Sequence, residues 1–380
     1  MATDLTFDAD RLLVQQTAGD LFRRRYPPEV VRELEESELG YSPDGWREMA
    51  GLGWLGITFP EQHGGTGGTF LDQFPIYEEM GRHLVPSPHL DTVAVAGDLL
   101  LAAGTDAQRA AFLPAIARGD AIVSVAVPEH DGSFDPAGIS CAATRRGSDL
   151  VVRGTKLLVA YAPSADWFLC AVRTNGNRDR AADGISVLLV DARAGGITCD
   201  PIPNIAGLPL YAVTFDDVAV PTDHVVGEVD HGWDALSASA TKAAVLQTAT
   251  IVGAARAVLE MTNQYAKDRE QFGNPIGSYQ AVQYLVSDIL IDLHRTDLLA
   301  RQAAFRIDRG TPWRREAAMA VAFGKQAAAH LHRQAHEVHA GVAFIDEHDL
   351  TLYSRRSKYW ENNLGDARHH QEMLAAAMQL

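Results

Sequence analysis

Residues 268–289 read DREQFGNPIGSYQAVQYLVSDI, and the fold turns on this stretch. A charged, helix-like run reaches Phe272, breaks over Gly273, Asn274 and Pro275, and restarts as an apolar-striped helix at Ser278. Gly and Pro are strong helix punctuation. Punctuation does not by itself ask for Arg269, Gln271 and Phe272 at the mouth of the break, with Gln280 one turn beyond. That set also suits a cofactor held between helices. On spacing alone, an Arg269 paired with a helix-surface acid and a Phe272 packed as plain core explain it equally well.

On either side of the break the period is helical. WDALSASATKAAVLQTATIVGAARAVLEMTNQYAKDREQF is Ala-rich with few breakers and predicts one long helix. Tyr279, Val282, Val286, Ile289 and Leu293 mark one face of the next. A third helix, WRREAAMAVAFGKQAAAHLHRQAHEVHAG, stops near Gly341, and a last one runs from about Asp366 to Met378. Together they predict a C-terminal four-helix bundle over residues 229–380.

Upstream the period changes. AIVSVAVPE, DLVVRGTKLLVAYA, DWFLCAVRT, GISVLLVDA and YAVTFDDVAVP are short, β-branched and bounded by turn residues. They predict a middle antiparallel β domain over 121–228, ending near Val226. Residues 1–120 read as helices with loops: Ser42 or Asp44 caps a short helix, FPEQHGGTGG is neither helix nor strand, and TFLDQFPIYEEMGRHL and DAQRAAFLPAIARGD are helical. The fold class is α+β, in the order α, β, α-bundle.

The chain has 380 residues, 47% apolar and 22% charged, enough for two or three domains. A net charge of −16 argues against general nucleic-acid binding. Cys141, Cys170 and Cys199 are odd in number and lack ligand spacing, against a disulfide framework or a zinc site. MATDLTFDAD lacks the n-region and apolar run of a secretion signal, and no segment reads as apolar enough to span a bilayer. A cytoplasmic location is the expectation.

GWLGITFPEQHGGTGGTFLDQFPIYEEMGR and the 268–289 stretch together resemble the acyl-CoA dehydrogenase family of flavoproteins. The tail, EVHAGVAFIDEHDLTLYSRRSKYWENNLGDARHH, resembles a divergent branch of the kind common in actinobacterial fatty-acid and sterol catabolism. The resemblance covers nearly the whole chain and implies FAD, an acyl-CoA substrate and electron-transfer flavoprotein as partner. It implies a base for the α-proton, a flavin that takes the β-hydrogen as hydride, and donors to the thioester carbonyl.

By the same resemblance, Arg269 meets the FAD pyrophosphate of a neighbouring subunit, and Gln271, Phe272 and Gln280 line the same dinucleotide. The chain is then a dimer or tetramer, homomeric or paired with a paralogue. Val127, Ser133 and Leu158 fall at flavin-facing positions. The family's usual hydroxyls there are replaced by Pro128 and Ala160, and Leu158 taken alone reads as a buried strand residue. Glu337 and Gly341 fall at the ADP half, where Glu337 stands in place of a Gln and its charge opposes a pyrophosphate.

Both usual locations of the family's catalytic Glu are vacant: the resemblance puts Leu364 at one and Ala243 at the other. Asp91, at the floor of the acyl pocket by family analogy, and Asp366, beside Gly365 and at a flavin-contact position, are the candidate acids. Each also reads as a helix N-cap. Four readings stay open: a dehydrogenase with a displaced acid; a non-catalytic partner subunit of a heteromer; a flavin-binding member with a different substrate, such as an acyl carrier protein; and a non-redox binding or structural subunit without flavin. His336, His339, His369 and His370 lack companion ligands for a metal. Arg355, Arg356 and Lys358 read as a solvated basic face.

Overall fold

The computed structural model describes residues 5–130, 132–175 and 182–379. Six helices form the N-terminal part: α1 (Ala9–Arg25), α2 (Pro28–Glu36), α3 (Pro43–Gly51), α4 (Phe74–Arg82), α5 (Asp98–Ala103) and α6 (Asp106–Ala117). Ser42 caps α3, its Oγ accepting from the Gly45 amide at 3.1 Å. FPEQHGGTGG folds mostly as turns around one short 3₁₀ turn, Glu61–His63. A wide-turn π-helix, Leu90–Gly97, leads into α5, a geometry the apolar periodicity does not signal.

The middle part holds β1 (Val123–Ala126), β2 (Ala142–Arg146), β3 (Asp149–Ala160), β4 (Trp167–Arg173), β5 (Ile185–Asp191), β6 (Ile197–Pro201), β7 (Leu210–Pro221) and β8 (Val225–Val226). The sheet runs β6-β7-β3-β2-β4-β5-β8, with β1 pairing alongside β4. It is chiefly antiparallel, but β1 lies parallel to β4 and one β2–β4 pair is also parallel. The strands the sequence does not signal, β2, β6 and β8, are short or carry exposed polar residues.

Five helices close the chain: α7 (Trp233–Asp268), α8 (Gln280–Asp308), α9 (Arg314–His339), α10 (Asp349–Asn362) and α11 (Ala367–Ala377). α7 stops four residues short of the expected Phe272. The break is a two-residue hairpin between β9 (Glu270–Gln271) and β10 (Asn274–Pro275), with Phe272 (φ +55°) and Gly273 (φ +80°) at its turn. Both central residues at positive φ match the twist a tight hairpin needs. By length and composition α7 could cross a bilayer, contrary to the sequence expectation. Its apolar residues are instead buried against α4, α8 and α9.

α10 is a fifth helix beyond the expected bundle, rich in charged residues and packed on α9 and α7. The expectation that Arg355 and Arg356 face solvent fails here. Arg356 is buried; its Nε donates to the Ala206 carbonyl at 2.9 Å and its Nη2 pairs with Glu35 at 2.8 Å. Arg355 reaches the same carboxylate at 2.8 Å. The pairs tie α2, the loop before β7 and α10 together, which fixes the walls of the cavities described next.

Candidate active site

Two cavities adjoin where the sheet meets the C-terminal helices, and Tyr359 lines both. The outer cleft holds about 800 Å³ of empty space. Pro128, Gly132, Phe134 and Leu158 form its sheet side, and Tyr359, Asn363, Leu364 and Gly365 its helix side. The inner cavity, whose empty space of about 620 Å³ includes solvent open to it, lies between α4, the π-helix, α7 and α10. Asp91, Tyr161, Gln247, Thr250, Arg356 and Trp360 line it, with Met80, Leu84 and Leu208 as apolar walls.

The sheet side of the cleft is shaped by a bulge. The β3–β7 register shifts between Lys156 and Val159, and Leu158 takes φ +57°. The bulge turns Leu158 outward, 42% exposed, onto the cleft. Leu158 is therefore not the buried strand residue its apolar setting suggests. Lys156 anchors the facing segment from inside the sheet. Its Nζ donates to the Val127 carbonyl at 3.1 Å and to Glu129 Oε1 at 2.7 Å, and it is wholly buried. Glu129 also accepts from the Ser140 and Cys141 amides and from the Ser140 hydroxyl. Burial alone would raise the Glu129 pKa; the Lys156 ammonium and these donors outweigh it and leave it lowered. The Val127 side chain points into the core, while Gly132 borders the cleft and a Cβ added there would meet nothing. Ser133 follows Gly132 and is half-buried.

On the helix side, the turn after α10 places Leu364 at φ +58° and Gly365 at φ +90°. The Leu364 carbonyl accepts from His370 Nε2 at 3.0 Å, and the Leu364 side chain faces the cleft. Asp366 lines neither cavity; it caps α11, its Oδ1 accepting from the His369 amide at 2.8 Å. Ala243 is fully buried in α7 and borders neither cavity.

Asp91 is not an N-cap. It sits inside the π-helix, behind His89, and its Oδ2 accepts from the Val125 amide at 3.1 Å. It is the one carboxylic acid among the described residues lining either cavity. Burial pushes its pKa up to about 7, with the Val125 amide pulling the other way.

The remaining candidates gather elsewhere, at the shared end of α7 and α9. Tyr265, one turn before Arg269, stacks on His339 with ring centroids 4.4 Å apart. Arg269 caps α7, and its guanidinium meets no acid among the described residues, so the surface-pair reading fails. Phe272 is 92% exposed, so the plain-core reading fails as well. Gln271, Gln280, Glu337 and Gly341 are exposed around them. Ala340 closes α9 at φ +53°, ψ −140°, a region that favours glycine. The buried ring nitrogens of His339 have no hydrogen-bond partner among the described residues. Within one chain this exposed cluster and the cleft share no lining residue.

Models of the acyl-CoA dehydrogenase N-terminal, middle and C-terminal domains match residues 8–120, 124–218 and 230–379. The chain belongs to the acyl-CoA dehydrogenase family. It is 30% identical over 368 residues to acyl-CoA dehydrogenase IpdE2 of Mycolicibacterium smegmatis, covering 97% of this chain and 98% of that one. It is 31% identical to acyl-CoA dehydrogenase FadE27 of Mycobacterium tuberculosis, over 90% of this chain and 89% of the relative. In three dimensions it matches the ChsE4-ChsE5 complex from Mycobacterium tuberculosis with a TM-score of 0.89 and 26% identity, over 99% of each chain.

FAD is the cofactor of this family, and the cleft suits its ring system. The walls at Pro128, Leu158 and Leu364 are apolar, and the open side of Gly132 leaves room for close approach. Sequence reasoning missed Lys156, Gln247, Tyr359 and Lys325 as parts of this architecture. The Gly-Thr-Lys string that ends in Lys156 was the available signal.

Proposed function

We propose that this chain holds FAD in the outer cleft and an acyl thioester with its acyl group in the inner cavity, and catalyses α,β-dehydrogenation with Asp91 as the proton acceptor. The observation that carries the reading is that Asp91 is the lone carboxylic acid among the described cavity-lining residues. A base works best with a pKa near the working pH, and burial brings this one to about 7. Leu158, Pro128 and Leu364 would sandwich the flavin ring. Arg269, Gln271, Phe272 and Gln280 would hold the dinucleotide of an adjoining subunit, which accounts for a guanidinium with no acid partner among the described residues beside a bare Phe. Bound FAD supplies the hydride acceptor; this chain's residues supply the apolar slot, the exclusion of water and the seat for the proton. Electrons would leave to an electron-transfer flavoprotein.

Anaerobic flavin bleaching by a panel of acyl-CoAs tests this, with wild type against Asp91→Asn. The amide oxygen of Asn keeps an acceptor for the Val125 amide, so the substitution removes the base and spares the anchor. Bleaching slows about a hundredfold or more in the variant. In wild type the rate rises with pH through about 7, as Asp91 loses its proton. Equal bleaching rates refute the assignment.

A second reading, the non-catalytic subunit of a heteromer, is favoured by Leu364, which faces the cleft from the position of the family's usual base. The similar ChsE4-ChsE5 structure is, by its name, a complex of two differently named chains. It predicts that FAD binds only after mixing with a paralogous chain. A non-redox subunit predicts a colourless protein that stays so with added FAD.

A further inference from the structure

Lys325 on α9 is buried, with no carboxylate in ion-pair contact among the described residues. Its Nζ donates to the Trp360 and Asn363 carbonyls, each at 2.7 Å, and lies 3.5 Å from Gln247 Oε1. The Gln247 amide thus has its oxygen turned toward Lys325, an acceptor facing a donor. The –NH₂ end is then left to the inner cavity, which Gln247 lines, and it meets no acceptor among the described residues. The neighbouring guanidinium is already engaged: Arg356 binds Glu35 and the Ala206 carbonyl. Asp91 Oδ1 meets no donor among the described residues, so the cavity presents an open acceptor as well as an open donor.

Resting on the reading that this cavity takes the acyl group, we propose that Gln247 determines specificity by selecting acyl thioesters whose chain carries a second carbonyl oxygen beyond that of the thioester. A plain hydrocarbon would strip water from the Gln247 –NH₂ and give nothing back. Sites built to pair a polar group reject analogues that lack it far more sharply than apolar pockets sort by size.

The test titrates the FAD-loaded protein with two thioesters of matched skeleton, 3-(4-oxocyclohexyl)propanoyl-CoA and 3-cyclohexylpropanoyl-CoA. Binding is read by flavin absorbance and by calorimetry. Wild type binds the ketone about tenfold more tightly or better. Gln247→Glu keeps an acceptor for Lys325 but presents no donor as a carboxylate, and the preference disappears. Gln247→Leu, a second variant of different chemistry, loses it too. Equal affinities in wild type, or a preference that survives both substitutions, overturn the proposal alone. Failure of wild type to bind either thioester overturns it together with the acyl-cavity reading beneath it.

Discussion

Replacing Lys156 by Met keeps most of the side-chain volume and strands Glu129. The carboxylate is 4% exposed and would retain its bonds from Ser140 and Cys141 while losing its counter-charge. Breaking a buried pair from one side costs about 3–5 kcal/mol, because the surviving charge stays desolvated. The double variant Lys156→Met, Glu129→Gln removes that charge, so it is less destabilised than the sum of the single changes, with about 1–3 kcal/mol of coupling. The sign with pH follows from Glu129. Its pKa is lowered from an ordinary 4.5, so the wild-type pair stabilises fully above that value and loses its contribution as pH falls below it. The stability gap between wild type and Lys156→Met is therefore largest near neutrality and narrows in acid. Urea unfolding from pH 7 to pH 4, followed by circular dichroism and by flavin release, measures both. Lys156 also holds the Val127 carbonyl, so flavin release should precede global unfolding in the single variant. A loss under about 1 kcal/mol, or strictly additive single and double variants, refutes the view that this pair organises the cleft wall.

Ala340→Gly should stabilise the chain by about 1 kcal/mol, since relief of a left-handed, non-glycine backbone outweighs the added freedom of the unfolded chain; denaturant midpoints check it. Arg269→Ala should weaken FAD binding about tenfold or more, with Arg269→Lys recovering only part, because a point charge replaces a fork. Flavin retention on gel filtration reads this. Leu364→Glu places a carboxyl in the cleft wall, and in the Asp91→Asn background it should restore flavin bleaching by acyl-CoA. Bleaching left at the Asp91→Asn level would show that the acyl carbons do not approach that wall.

The fold was legible wherever period and punctuation agreed. α7 announces itself by Ala content, the break after it by Gly and Pro (though not its hairpin form, which takes in Glu270 and Gln271), and β3, β4, β5 and β7 by β-branched runs. α10 was not legible, because its packed face includes Arg356 and Ser357, buried residues that hydropathy counts as surface. Arg356 pays for its burial through Glu35, some 320 residues away in sequence, and no local pattern carries that pairing. Leu158 fails in the opposite sense. It has the composition of a core strand residue, but a shift in its register with β7 turns it outward.

The same distinction explains why the acid was hard to place. A capping Asp and a buried Asp look alike in sequence, since both precede an apolar helical run. What separates them is the partner, and the Val125 amide belongs to a strand 34 residues on. That bond joins the inner cavity to the start of the segment whose far end Lys156 holds against the cleft. Asp91 and the cleft wall at Pro128 are thus mounted on one short stretch, Val125 to Pro128, anchored at Val125 by the Asp91 carboxyl and at Val127 by Lys156. A displaced base must still keep register with the ring it serves, and a rigid mount of this kind provides it where a carboxylate reaching from the 364 turn would need no such coupling. If Lys156→Met lowers the bleaching rate while acyl-CoA affinity holds, the mount transmits position to the chemistry; a change in affinity alone would assign Lys156 to stability only.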